Sequence, residues 1–133
     1  MSTLHLELDD GRRSYEPGEL LAGTIAWKLP APALPASIEL HLIWHTTGKG
    51  TTDSQIAVTR TFAATETRGE ERFELELPQF PYSFSGALTS LLWTLEAIVA
   101  GSEEPEQIDL VIAPHGREVI IARPQEEAVN RDA

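Results

Sequence analysis

The sequence predicts an all-β protein, an antiparallel β-sandwich. Two observations carry this expectation. Almost every segment alternates apolar and polar residues with the two-residue period of a strand buried on one face. Short stretches rich in Gly, Pro, Ser, Thr and Asp separate those segments and supply the turns. Length agrees: 133 residues suit one domain that buries roughly two-thirds of its unfolded surface around a single core.

The segments follow in order. "TLHLELD" sets Leu4, Leu6 and Leu8 on one face, with His5 and Glu7 on the other. In "YEPGELLAGTI" a Pro-Gly pair stands before an apolar run. Pro17 fixes its own φ and Gly18 accepts a positive one, so the pair reads as the two central positions of a type II turn. That structural turn launches a strand with Leu21, Gly23, Ile25, Trp27 and Leu29 inward. "PAPALPAS" reads as a crossing between sheets, because prolines suit connections and not central strands.

"SIELHLIWH" puts Ile38, Leu40, Leu42 and Trp44 inward and His41, Ile43 and His45 outward. A hairpin loop centred on Lys49 then pairs Leu42 with Ile56 and Leu40 with Val58, all inward, and His45 with Asp53 outside. "ERFELELP" alternates Phe73, Leu75 and Leu77 against charged residues. "LLWTLEAIVA" turns Leu91, Trp93, Leu95, Ala97 and Val99 inward and Leu92 and Ile98 outward. The longer stretch "GALTSLLWTLEAIVA" lacks breakers inside, so a helix competes there; the strand signals that follow and the β-branched and aromatic content decide for a strand. "QIDLVIA" buries Ile108, Leu110 and Ile112, and "REVIIA" closes the set with Val119 and Ile121. The sandwich domain is expected over residues 1–122, with 123–133 a mobile polar tail.

Charge narrows the partners. The formal net charge is −11, which repels a phosphate backbone and an anionic membrane surface, so neither nucleic acid nor membrane insertion is expected. No apolar run approaches the ~20 residues of a span, and "MSTLHLELDD" lacks the basic and apolar regions of a signal peptide. There are no cysteines, which excludes disulfides and thiolate chemistry and fits a reducing compartment. The expected location is the cytoplasm.

Motifs for chemistry fail on spacing or setting. "TTGKGT" lacks the earlier glycine and the strand-to-helix context of a phosphate loop. His41 and His45 share a strand face, but about 13 Å apart, too far for one metal ion. The acidic runs "LDDG" and "GSEEPEQ" lack calcium-loop spacing, and no nucleophile elbow is present, "SFSGA" reading as turn. Trp27, Trp44 and Trp93 fall in the inward phase, which suits a core better than a sugar platform. No catalytic, cofactor-binding or metal-binding residues are expected.

"YEPGELLAGTI" and "ELELPQFPYSFSGALTSLLWTLEAIV", in this order, resemble arrestin-like N-terminal domains. The matching positions are Tyr15, Pro17, Gly18, Glu19 and Gly23, then Pro81, Ser83, Phe84, Gly86, Trp93, Leu95 and Ala97, within residues 3–113. The resemblance implies an immunoglobulin-like sandwich used as an adaptor that binds proteins without doing chemistry. The chain has length for one such domain where arrestins carry two, and it lacks a basic phosphate-sensing cluster and a Pro-Pro-x-Tyr motif. The expected function is therefore protein–protein interaction, with a carbohydrate- or small-ligand-binding sandwich as the alternative. The candidate surface for a protein partner, or for a second copy in a homodimer, is His41, Ile43, His45, Leu92 and Ile98.

Overall fold

The computed structural model describes residues 3–48, 52–86, 89–116 and 119–121. Its strands are β1 (Thr3–Leu8), β2 (Ser14–Tyr15), β3 (Leu20–Lys28), β4 (Ala36–Gly48), β5 (Thr52–Ala64), β6 (Arg68–Glu76), β7 (Phe84–Gly86), β8 (Thr89–Val99), β9 (Glu106–Ile112) and β10 (Val119–Ile121). A smaller sheet runs β1-β3-β6 and a larger one β10-β7-β8-β4-β5. β9 continues the larger sheet along the part of β8 that β7 leaves free, and β2 pairs with β9. The proline-rich segment after β3 carries the chain between the sheets, with a 3-10 turn at Ala31–Ala33. Among the described residues no helix is long and apolar enough to cross a membrane.

The inward phases of the two sheets meet in one core. Leu6, Leu21, Ile25, Phe73 and Leu75 come from the smaller sheet, and Ile38, Leu40, Leu42, Leu95 and Ile112 from the larger. Trp93 is fully buried, and its indole N–H donates to the Pro81 carbonyl at 3.0 Å. Trp27 lies over Gly69 on the neighbouring strand and donates to the Glu66 carbonyl at 3.3 Å. Both indoles thereby satisfy their one polar group without leaving the core. Gly23 is needed for a close approach: an added Cβ would sit 2.5 Å from the Glu7 carbonyl oxygen and 2.8 Å from the Phe73 ring.

The Pro-Gly turn forms as the residue types dictate. Glu19 N–H donates to the Glu16 carbonyl at 3.1 Å across Pro17 and Gly18, and Gly18 has φ +77°. The Glu19 side chain then clasps the turn from outside. It accepts both arms of the Arg12 guanidinium and the Glu16 N–H at 3.0 Å. Arg12 also reaches the Ser14 carbonyl and lies 4.4 Å over the Tyr15 ring. The hydrogen bonds from Arg12, then from Glu16, hold the Glu19 carboxyl below its ordinary pKa. A second fork, Arg72 onto Asp9, joins β6 to the end of β1 and lowers the Asp9 pKa in the same way. Burial, the largest influence on Tyr15, pushes its phenol up.

Two expectations are corrected. The hairpin register is different: Leu42 opposes Val58, Leu40 opposes Arg60, His45 opposes Ser54, and Ile56 opposes Ile43 on the outer face. A β-bulge between the Leu42 and Ile43 pairings inserts Ala57, so the strand changes phase once. The sandwich is antiparallel as expected through β1-β3-β6 and through the pairings of β8 and β4, and only the short β2–β9 and β7–β10 pairings at the larger sheet are parallel. Finally, Ser14–Tyr15 and Phe84–Gly86, expected in turns, are short strands. Two- and three-residue pairings with partners far along the chain leave no alternation to read. Ser83 anchors one of them: it is buried, its N–H donates to the Ile112 carbonyl and its hydroxyl accepts the Ile112 N–H. The Lys49 loop centre and the tail at 123–133 lie outside the described residues.

Candidate functional site

The outer face of the larger sheet is built by β5, β4 and β8 side by side. β4 is central, so each of its outward residues has a neighbour on both flanks. His41 lies between Thr59 and Glu96, Ile43 between Ile56 and Thr94, and His45 between Ser54 and Leu92. Leu92 is thus diagonal to Ile43, within reach of a long apolar side chain. Ile56, Ile43 and Leu92 form an oblique apolar band across three strands, with His41 and His45 beside it. Ile56 is 51% exposed and Leu92 36%; Ile43 is half-buried.

Several polar groups around the band are satisfied locally. Thr94 is buried, and its hydroxyl donates to the Asp109 carboxylate at 3.1 Å. His41 Nδ1 lies 3.3 Å from the Thr59 hydroxyl, and its Nε2 3.9 Å from Glu39. Gln107 donates to Glu96 at 3.3 Å. Ser54 and Thr59 stay exposed on this face together with Ile56 and Leu92.

The structure therefore brings together His41, Ile43, His45 and Leu92. Ile98 is on the same face but opposes Glu39, six residues along β8 from Leu92, or about 20 Å, so it is not part of the band. Ile56 is the member the sequence reading missed. It shares the apolar period of Val58, and only Arg60 in the same phase hints that the strand is irregular.

Among the described residues no group of three or more His, Asp or Glu side chains could hold a metal ion. Trp27 and Trp93 are core side chains, and Trp44 is half-buried in the inward phase, opposite Trp93. A shallow depression of about 510 Å³ on the smaller sheet is floored by Ala26 and rimmed by His5, Lys28, Arg68 and Glu70. Its charges are mixed in sign.

No family model matches the chain, and no curated protein matches it. Solved structures do. The sporulation control protein Spo0M of Bacillus subtilis superposes with a TM-score of 0.58 at 15% identity, over 86% of this chain and 50% of that one. This chain thus spans half the length of Spo0M. The alkylpurine DNA glycosylase AlkC of Pseudomonas fluorescens gives a TM-score of 0.47 at 13% identity, covering 85% of this chain and 30% of that one. A β-glucosidase of Listeria innocua gives 0.48 at 13%, covering 90% and 16%. Of these, the Spo0M likeness carries weight, and at that identity it speaks for the backbone arrangement alone. The fold is an all-β, immunoglobulin-like sandwich of the arrestin-like kind.

Proposed function

We propose that this chain is a non-enzymatic, cytoplasmic protein-interaction module, an adaptor that docks a protein on the outer face of its larger sheet. One observation supports it above the others: Ile56, Ile43 and Leu92 are gathered on a water-facing surface instead of scattered. Apolar residues collected on one face mark contact surfaces, whereas single ones carry no meaning. Exposed backbone at the neighbouring β5 edge adds a second means of contact. A sugar-binding module is less well supported, since the indoles that would make its platform are used in the core.

The test compares capture by the wild-type chain with capture by Ile43→Arg and Leu92→Arg. Leu20→Arg, at an exposed residue of the smaller sheet, is the control. Defined partners recovered by the wild type and by Leu20→Arg should fall at least tenfold with both face variants, as for central contact residues. Thermal midpoints should show stability kept within about 1 kcal/mol, because the added charge faces water. Equal capture by all four proteins would rule out this face as the docking surface.

A further inference from the structure

The larger sheet ends at β5, and among the described residues nothing pairs with its free side. The strand is thirteen residues long and contains neither proline nor lysine, the usual protection of an edge. The smaller sheet's edge β6 is different: Arg68, Glu70, Glu71, Arg72, Glu74 and Glu76 crowd it with charge. From Asp53 to Ala64, β5 carries one acid and one base, Asp53 and Arg60. Both are exposed, and neither has an ion-pair partner among the described residues.

The position of these two charges selects an occupant. Seven residues apart on a regular strand, they would point to opposite faces. The bulge at Ala57 changes the phase between them. Asp53 opposes Thr46 and Arg60 opposes Leu40, and Thr46 and Leu40 share one phase of β4. Asp53 and Arg60 therefore project from the same side of the sheet. We propose that a second copy of this chain pairs antiparallel with the β5 edge, in the register that sets Asp53 of each copy against Arg60 of the other.

Every step of that register keeps its faces matched. Ser54 meets Thr59 on the outer side, and Gln55 meets Val58 on the inner side. Ile56 meets Ala57 next to the two-fold axis, so the half-exposed Ile56 side chains of the two copies come together there. The two bulges lie at the same level and match each other. Pairing is isologous, and the symmetry doubles each contact, giving two ion pairs. Eight paired residues span about 26 Å, so the interface belongs to the weak, transient class below about 1,200 Å².

This deepens the protein-interaction reading by naming one partner, and its test is separate from the capture experiment. Sedimentation equilibrium of the full chain, from about 10 μM to about 1 mM, should show a monomer–dimer equilibrium. At about 0.15 M salt, where the repulsion of net charges is screened, Asp53→Arg alone and Arg60→Asp alone should each weaken dimerisation at least tenfold. Mixing those two variants in equal amounts should restore it, because every facing pair is then opposite in sign. The double variant with both exchanges should dimerise like the wild type, which controls for loss of folding. Amide exchange between Ser54 and Arg60 should slow as concentration rises.

A wild type that stays monomeric at about 1 mM overturns the proposal, as does a mixture that fails to restore what the single variants lose. Leu92→Arg, two strands from the edge, should leave dimerisation unchanged. If the chain proves monomeric but Leu92→Arg still abolishes partner capture, the adaptor reading stands and the edge pairing alone is wrong.

Discussion

Gly18 shows how much one backbone angle can carry. Its φ of +77° is a region that a β-branched residue resists, and a new side chain would also displace that of Gln79. Gly18→Val should therefore lower stability by about 1–3 kcal/mol, measured as a shift in the denaturant midpoint at constant m-value. An unchanged midpoint would mean that the turn relaxes to negative φ. This turn was legible in the sequence because Pro and Gly each dictate their own geometry. The clasp around it was not, because Glu19 acts through Arg12, whose approach depends on the preceding 3-10 turn at Asp9–Gly11. Since Glu19 titrates lower in the folded chain than in the unfolded one, its contribution is complete above its unfolded pKa near 4.3. It is lost as the pH falls through the folded pKa. Glu19→Gln should accordingly be less stable than the wild type at pH 7, by less than about 1 kcal/mol for so exposed a pair. The two proteins should converge once the pH lies below the folded pKa. A difference that persists there would show that the carboxylate's charge is not what holds Arg12.

At the scale of elements, alternation was readable wherever one sheet face is buried without interruption. β3, β6 and β8 follow their expected phases closely: Leu21, Ile25, Phe73, Leu75, Trp93 and Leu95 are all core residues. β5 failed for a definite reason. Unlike β6, an edge strand that still buries Phe73 and Leu75, β5 leaves Asp53 through Ala57 all exposed. With so little burial, apolar period and backbone phase can separate, and a bulge is invisible in composition. The error had a consequence for the candidate surface. Ile56, read as core, belongs to the outer band, and the band has a member on each of three strands because of the bulge. The same phase change aligns Asp53 with Arg60. The two- and three-residue strands β2 and β7 show the opposite limit: their parallel pairings with β9 and β10 arise from the path of the chain around the sandwich, which no local pattern records.

The whole molecule imposes a condition that neither the face nor the edge reveals alone. Two copies, each of charge −11, must approach to dimerise. For compact bodies of this size, with centres about 36 Å apart, unscreened repulsion in water is about 14 kcal/mol. Salt reduces it steeply, as the Debye length falls from about 30 Å at 0.01 M to about 8 Å at 0.15 M. The two exposed Asp53–Arg60 pairs are worth only about 0.2–1 kcal/mol each and also weaken with salt. Long-range repulsion is the larger quantity, so it decides the sign. Raising salt from about 0.01 M to about 0.15 M should strengthen dimerisation of the wild-type chain, although its specific contacts are ionic. The equal mixture of Asp53→Arg and Arg60→Asp should follow the same trend, since its summed charge is that of two wild-type copies. Sedimentation at the two salt concentrations checks this. Dimerisation that weakens as salt rises would mean that local ion pairs outweigh the global charge, and that the acidic residues lie farther from the contact than a compact body of uniform charge allows.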